Sequence, residues 1–294
     1  GNEVFRERIR TPKSYGECVD AICGLVHESD NSTQTRGSVG IGIPGTISPV
    51  TGLVKNANST WLIGHPLDKD LSKLLERPVR VMNDANCFAL SEAVDGAGKD
   101  ATVVFGVILG TGVGGGIVVD KRVLDGAQKI CGEWGHNPLP WPRSGPHRGS
   151  QPDSQWDELP GPPCYCGRHG CIETFVSGPG MAEDHARVSG QRRAPPAILA
   201  AASNGDADAR ATLERHADRL ARALASVINL LDPEVIVLGG GLSNLPHLYE
   251  SLPGLIRPWL FCDGIATRIL PPLHGDSSGV RGAAWLWDDA PTDR

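Results

Sequence analysis

The sequence predicts an α/β fold, and two observations carry that prediction. Short apolar runs that end in Gly, Pro or Asn-Asp turns alternate with segments of helical periodicity, and no short-period repeat interrupts the alternation. The 294 residues are also enough to bury a sizeable core in one large or two modest units.

Taken in order, residues 38–44 (SVGIGIP) read as a strand entering a Gly/Pro turn, and residues 78–82 (PVRVM) as a strand ending at Asn83-Asp84. Ala85 to Val94 then reads as a helix. Ala101 to Leu109 and Gly116 to Val119 form a strand pair joined by the glycine-rich turn 110–115, a hairpin with a bare tip. Residues 142–163 are proline-rich and predict an irregular excursion. Leu213, Ala217, Leu220, Leu224, Val227, Ile228 and Leu231 recur at helical spacing, and Asp232-Pro233 stops that helix before a strand at Val235 to Leu238. Gly239-Gly240-Gly241 caps the strand. Val280, Ala283, Ala284 and Trp287 predict a last helix packed through those residues.

Composition narrows the function. A formal net charge of −6 without any Lys/Arg run argues against a nucleic-acid surface, which needs clustered positive charge. No stretch approaches the roughly 18 apolar residues of a membrane span, and the opening GNEVFRERIRTP lacks a signal peptide's apolar segment, so a cytoplasmic protein acting on a small molecule is expected. Eight cysteines are too few for a disulfide scaffold, yet three of them stand at 164, 166 and 171.

That cluster, Cys164-Tyr-Cys166-Gly-Arg-His-Gly-Cys171, can turn three thiolates toward one zinc ion. A fourth ligand closes a structural site; His136 is the choice and His169 the local competitor. Four protein ligands leave no open position for a catalytic water. Two glycine-rich turns, Gly110 to Gly116 with Thr111, and Gly239 to Gly241, can bring backbone N–H groups to an anion, although a plain hairpin turn accounts equally for the first. Asp84, at a strand-to-helix junction, is either a helix cap or a general base for phosphoryl transfer. Glu133 and Glu173 flank the proposed ligands and can accept hydrogen bonds from sugar hydroxyls.

Together, Ile43-Pro-Gly-Thr-Ile-Ser, Asn83-Asp-Ala-Asn, Leu109-Gly-Thr-Gly-Val-Gly-Gly-Gly, Gly132-Glu-Trp-Gly-His, the cysteine motif with Ile172-Glu173, and Leu238-Gly-Gly-Gly resemble the ROK family of sugar kinases in order and spacing. The stretches NANSTWLIGHPLDKDL and HGDSSGVRGAAWLW are most similar to the bacterial fructokinases of that family, which also accept mannose. The resemblance implies a two-lobed, actin-like hexokinase fold with a cleft between lobes. It divides the chain into an N-terminal lobe, 1–98, completed by a C-terminal helix, 277–294, and a second lobe, 99–276, with a zinc-binding insertion at 131–173. It implies Asp84 as catalytic base; Asn83, Glu133, His136 and Glu173 as sugar contacts; and His136, Cys164, Cys166 and Cys171 as zinc ligands. ATP phosphates are expected near Gly110, Thr111, Gly112 and Gly114, adenosine near Gly239, Gly240 and Gly241, and Mg²⁺ with the phosphates. A homodimer is a possible assembly. Kinases of N-acetylhexosamines or glucose, and sugar-responsive regulators, are the alternatives within the family. Because the family opens with a strand and a D-x-G-G-T-K loop, the resemblance also implies about twenty residues ahead of Gly1. On that expectation the 294 residues alone have an exposed sheet edge, low stability and little activity.

Overall fold

The computed structural model describes residues 3–143, 158–275 and 278–287. The expectations for residues 144–157 and for the ends of the last helix lie outside them.

The chain begins with α1 (Tyr15–Thr33), opened by Ser14, whose hydroxyl accepts the Glu17 N–H. Strand β1 (Val39–Ile43) leads into the short antiparallel pair β2 (Thr46–Ile47) and β3 (Val54–Lys55), then α2 (Leu67–Leu74) and β4 (Val79–Asn83). β1 and β4 pair in parallel with Ile43 opposite Asn83, so the turns after both strands open at the same end. Val39, Ile43, Leu67, Leu71 and Val79 form the core beneath them.

Helix α3 (Asp84–Val94) follows β4 directly, and then come β5 (Val103–Leu109), β6 (Val113–Val119) and β7 (Arg122–Val123). Short α4 (Ile172–Val176), then α5 (Gly178–Ser189), α6 (Pro195–Ser203) and the long α7 (Ala207–Leu231) precede β8 (Val235–Gly239), α8 (Pro246–Ile256), β9 (Arg268–Leu270) and α9 (Ser278–Trp285). The larger sheet has the order β7-β6-β5-β8-β9, with β5, β8 and β9 parallel. Alternate residues of β5 face two different cores. Phe105, Val107 and Leu109 join a core with Leu220 and Leu224 of α7 and Leu248 and Leu252 of α8, whereas Val104 faces a second core with Phe88 of α3 and Ala283 of α9. β8 is buried along its whole length, as a central strand covered on both faces must be.

Two sequence expectations change. The bare hairpin tip is shorter than its glycine run, because Gly114, Gly115 and Gly116 are already in β6, opposite Ile108, Val107 and Gly106. They are glycines because other backbone approaches the strand there: a Cβ on Gly116 would stand 2.6 Å from the Ala85 carbonyl oxygen of α3. In α9, Ala283 is buried as expected, but Val280 is 77% exposed and Ala284 faces solvent. The packing face instead uses Gly282, where a Cβ would lie 1.6 Å from the Cys87 carbonyl oxygen of α3.

Helix α3 is therefore held from both sides at near-backbone distance. A polar bond set fixes its axial position: the buried Glu92 carboxylate accepts the Ala97 N–H at 2.9 Å, the Leu273 N–H at 3.0 Å, the His274 N–H at 3.3 Å and the Ser278 hydroxyl at 2.7 Å. Four donors replace the water this carboxylate gives up. We expect Gly116→Ala to cost about 1–3 kcal/mol through overpacking, read as a lower denaturation midpoint with unchanged cooperativity.

A second buried polar set anchors the segment that leads into the cysteine motif. Arg219 and Arg222 of α7 are fully buried and donate to the buried Glu158 at 2.8 Å, while Arg215 and Arg219 grip Asp184 of α5. Desolvation alone would raise the Glu158 pKa, but the bonds from Arg222, the Arg143 N–H and Arg219 hold it below the usual glutamate value. A depressed carboxylate pKa adds stability above the unfolded value, about 4.3, and this stability is lost as pH falls through the folded value. Glu158→Ala leaves two buried guanidinium groups short of a partner and is expected to cost about 3–5 kcal/mol at pH 7, with a smaller further loss on acidification than the parent shows.

Candidate active site

Four motifs meet where strands end. β1 ends at Ile43-Pro44, β4 at Asn83, β5 at Leu109-Gly110 and β8 at Gly239-Gly240, with β5 and β8 in parallel register at Ile108 and Gly239. In open α/β sheets, ligands bind beyond such carboxyl ends.

At the head of α3, Asn83 is the cap: its side-chain oxygen accepts the Ala85 N–H at 2.9 Å and the Asn86 N–H at 3.2 Å. The capping role considered for Asp84 thus falls mainly to its neighbour. Asp84 is the first helical residue, accepts the Ala85 N–H at 2.8 Å and is exposed to solvent. Its carboxyl pKa is nonetheless raised, first by the protein atoms that crowd it and then by the negative charge of Glu133, against the lowering effect of the Ala85 N–H.

Glu133 and His136 sit on a 3₁₀ turn (Trp134–His136) pressed onto β6. Trp134 is buried and donates its indole N–H to the Gly114 oxygen at 3.0 Å, and Gly135 leaves room for the Val113 oxygen, 2.3 Å from where its Cβ would be. Desolvation raises the Glu133 pKa; His136 opposes this, Glu173 adds to it and Lys55 opposes it. Lys55 belongs to β3 and also donates to the Gln128 oxygen at 2.9 Å, so it ties the smaller sheet to the loop before Glu133. Sequence reasoning missed Lys55, since an isolated lysine on a two-residue strand carries no motif.

Glu173, in the first turn of α4, reaches the glycine-rich tip: its Oε2 accepts the Val113 N–H at 2.9 Å, and a Cβ on Gly112 would fall 2.6 Å from that oxygen. The Gly110 N–H is bonded to the Gly112 oxygen, and the Gly110 oxygen accepts the Gly178 N–H at the start of α5. Thr111 and Gly112 remain as the donors at the tip, with open space beside Gly110. Gly114 lies inside β6 against Ala85, and Gly239 lies against the Phe88 ring, so both serve packing. Gly240 takes a positive-φ, extended conformation open essentially to glycine alone (φ 80°, ψ 177°), close over the Leu109 oxygen, and Gly241 faces open space. The structure thus brings Gly110, Thr111, Gly112, Gly240 and Gly241 to one surface, while Gly114 and Gly239 support it from below.

His136, Cys164, Cys166 and Cys171 offer ligand atoms within 4.8 Å of one another; His169 is outside the group. The Cys166 and Cys171 sulfurs are 3.7 Å apart, and the Cys164 sulfur is 3.5 Å from His136 Nδ1. A tetrahedron with zinc–sulfur arms of about 2.3 Å has edges of roughly 3.8 Å, so this donor set fits zinc in size and in chemistry. Such an ion would brace the backbone between Glu133 and Glu173. The backbone is already paired there, Leu139 N–H to Gly170 oxygen and Ile172 N–H to Asn137 oxygen, both at 2.9 Å. We expect one zinc per chain by elemental analysis, and Cys166→Ser to lower zinc content and thermal midpoint together.

An α/β fold with motif turns gathered at strand ends and a cysteine-histidine cluster beside them is the arrangement of a protein that binds ligands beyond its strand carboxyl ends. The ROK family pattern matches residues 1–290, and the chain belongs to the ROK family. It is 41% identical over 283 residues to an N-acetyl-D-glucosamine kinase of Shigella boydii serotype 4, spanning 96% of this chain and 91% of the relative. Among solved structures, a ROK hexokinase from Thermus thermophilus superposes with TM-score 0.80 at 28% identity, covering 94% of this chain and 87% of that one. A ROK family glucokinase from Streptomyces griseus, in complex with glucose and AMPPNP, superposes at 0.73 with 27% identity, covering 95% and 89%. The fold is thus the hexokinase-like α/β fold shared with these kinases. Relatives of the Shigella kind carry the N-acetyl-D-glucosamine kinase name, not the fructokinase name, which favours the alternative over the fructose expectation.

Proposed function

We propose that this chain transfers the γ-phosphoryl group of ATP to a hexose hydroxyl, with an N-acetylhexosamine as the first substrate to test. One observation supports the reading above others: the Asp84 carboxylate stands within the field of Glu133, which stands within that of Glu173 and His136, and Glu173 touches the Gly112-Val113 turn. A hydroxyl donor and a phosphate tail can therefore approach each other over a few side chains.

In this reading Glu133, Glu173, His136 and the free end of Asn83 orient the sugar hydroxyls. Asp84 takes the proton of the attacking hydroxyl as its oxygen bonds the γ-phosphorus and the bond to the ADP oxygen breaks. Thr111 and Gly112 receive the phosphate oxygens, and the Gly240-Gly241 turn receives the adenosine. Magnesium bound with the nucleotide offsets phosphate charge. The two supporting glycines, Gly114 and Gly239, keep the strand ends close enough for this. The zinc cluster is structural, and a lobe division is supported by the separate core around β1 and β4; α9 bridges it, sharing a core with α3 and the β5–β8 strands while lying against β1 at Gly40. No helix among the described residues is long and apolar enough to cross a membrane.

The raised pKa of Asp84 suits a base that must accept a proton and then release it. Its conjugate acid is inactive, so kcat falls as pH drops through that raised value, and removing the Glu133 charge moves the fall to lower pH. Asp84→Asn is expected to lower kcat by about 10²–10⁴ while sugar binding, followed calorimetrically, changes little. Near-normal turnover would reject the base assignment. For the sugar, coupled ADP detection across N-acetylglucosamine, N-acetylmannosamine, glucose, mannose and fructose decides; a kcat/KM for fructose tenfold or more above the acetylated sugars would restore the motif-based expectation over that of the relatives.

A further inference from the structure

Tyr165 stands between two zinc-ligand cysteines, yet the metal site has no need of its side chain. The ring is 75% exposed. It lies edge-on to His136, centroids 5.0 Å apart and planes at 87°, and its hydroxyl is 2.9 Å from His136 Nε2. Because Nδ1 of that imidazole faces the Cys164 sulfur, Nε2 is the nitrogen left for a polar partner, and the phenol occupies its hydrogen-bond position. A largely exposed aromatic ring is thus held against one of the side chains assigned to the sugar.

Resting on the hexose-kinase reading, we propose that Tyr165 is a specificity-determining residue that limits the size of the sugar substituent admitted beside His136. A sugar hydroxyl can replace the phenol at Nε2 with little displacement of the ring. An acetamido group is several heavy atoms larger and requires the ring to swing out, giving up both the bond to His136 and the edge contact. The backbone at 165 cannot retreat to make room, since the cysteines on either side are fixed in the metal cluster. Discrimination of this kind acts against the larger substrate, so Tyr165 narrows the preference for N-acetylhexosamines that the rest of the site confers without setting it alone.

The quantity to measure is the ratio of kcat/KM for N-acetylglucosamine and N-acetylmannosamine to that for glucose and mannose, in the purified protein and in Tyr165→Ala, Tyr165→Phe and Tyr165→Trp, with zinc content measured for each. Tyr165→Ala should raise the ratio about tenfold or more. Tyr165→Trp should lower it, and Tyr165→Phe, which keeps the ring, should hold it within about twofold. A ratio that stays constant from Ala to Trp, or a Phe variant that behaves as Ala does, overturns the proposal while leaving the kinase reading in place. If Tyr165→Ala loses its zinc, an unchanged ratio in Tyr165→Trp still overturns it. Absence of sugar-dependent ADP release from the parent and every variant removes the kinase reading itself, and the proposal with it.

Discussion

The close approach of α3 to the backbone on both of its sides is the constraint on which the site depends. Gly106 and Gly116 admit the helix onto the β5–β6 hairpin, Gly282 admits α9 onto its opposite face, and Glu92 locks its far end to the segment entering α9. A helix held at this distance cannot slide or tilt without backbone collision, so the position of its first residue is determined by the position of the sheet. That residue is Asp84, and the sheet strand beneath it carries the glycine-rich tip at its end. In the proposed reaction the distance between Asp84 and the glycine-rich tip is thereby set by packing, which is what phosphoryl transfer demands of a protein, since positioning and charge supply most of the rate.

The opposite wall of the site is irregular backbone, and irregular backbone needs other means of support. Three are present. The 3₁₀ turn carrying Glu133 and His136 is pinned to β6 by Trp134; the cysteine segment is drawn to that turn by the zinc-sized cluster; and the stretch entering the cysteine segment is held by Glu158 against buried arginines of α7. Charges as deeply buried as these contribute little net stability compared with an apolar core, but they allow only one arrangement, because each must meet its partners. Rigidity on the loop side of the site is thus specified by polar geometry, where on the α3 side it is specified by the absence of side chains.

Much of this was legible in sequence where composition and geometry coincide. Strands ending in Gly, Pro or Asn-Asp announce themselves by β-branched runs and breakers, and β1, β4, β5 and β8 fell where residues 38–44, 78–82, 101–109 and 235–238 placed them. The cysteine spacing likewise pointed to a metal-sized group, and His136 rather than His169 completes it. What stayed hidden was the division of labour among like residues. Asn83 and Asp84 look equally able to cap a helix, and only the backbone bonds assign that task to Asn83. Gly110 and Gly114 look equally suited to a phosphate, and only strand register reveals that Gly114 is paired and packed. Val280 matches the helical period of Ala283, yet α9 buries a glycine face, and a hydrophobic pattern cannot reveal a surface defined by lacking side chains.

The sugar's identity was least legible, for a related reason. The residues proposed for transfer lie at strand ends and at the head of a clamped helix, where position follows from the fold; those proposed for sugar recognition come mostly from loops and short turns brought together by long-range closure. Lys55 reaches the Glu133 loop from a separate two-residue strand, and Tyr165 reaches His136 from the far side of the metal cluster. Lys55 sits in no motif and Tyr165 is a spacer within one, so the chemistry of either depends on its neighbours after folding. Related chains can share every transfer residue while differing in the few side chains that line the sugar, because changing those costs the clamp on α3 nothing. Family membership therefore constrains the reaction far more tightly than the substrate.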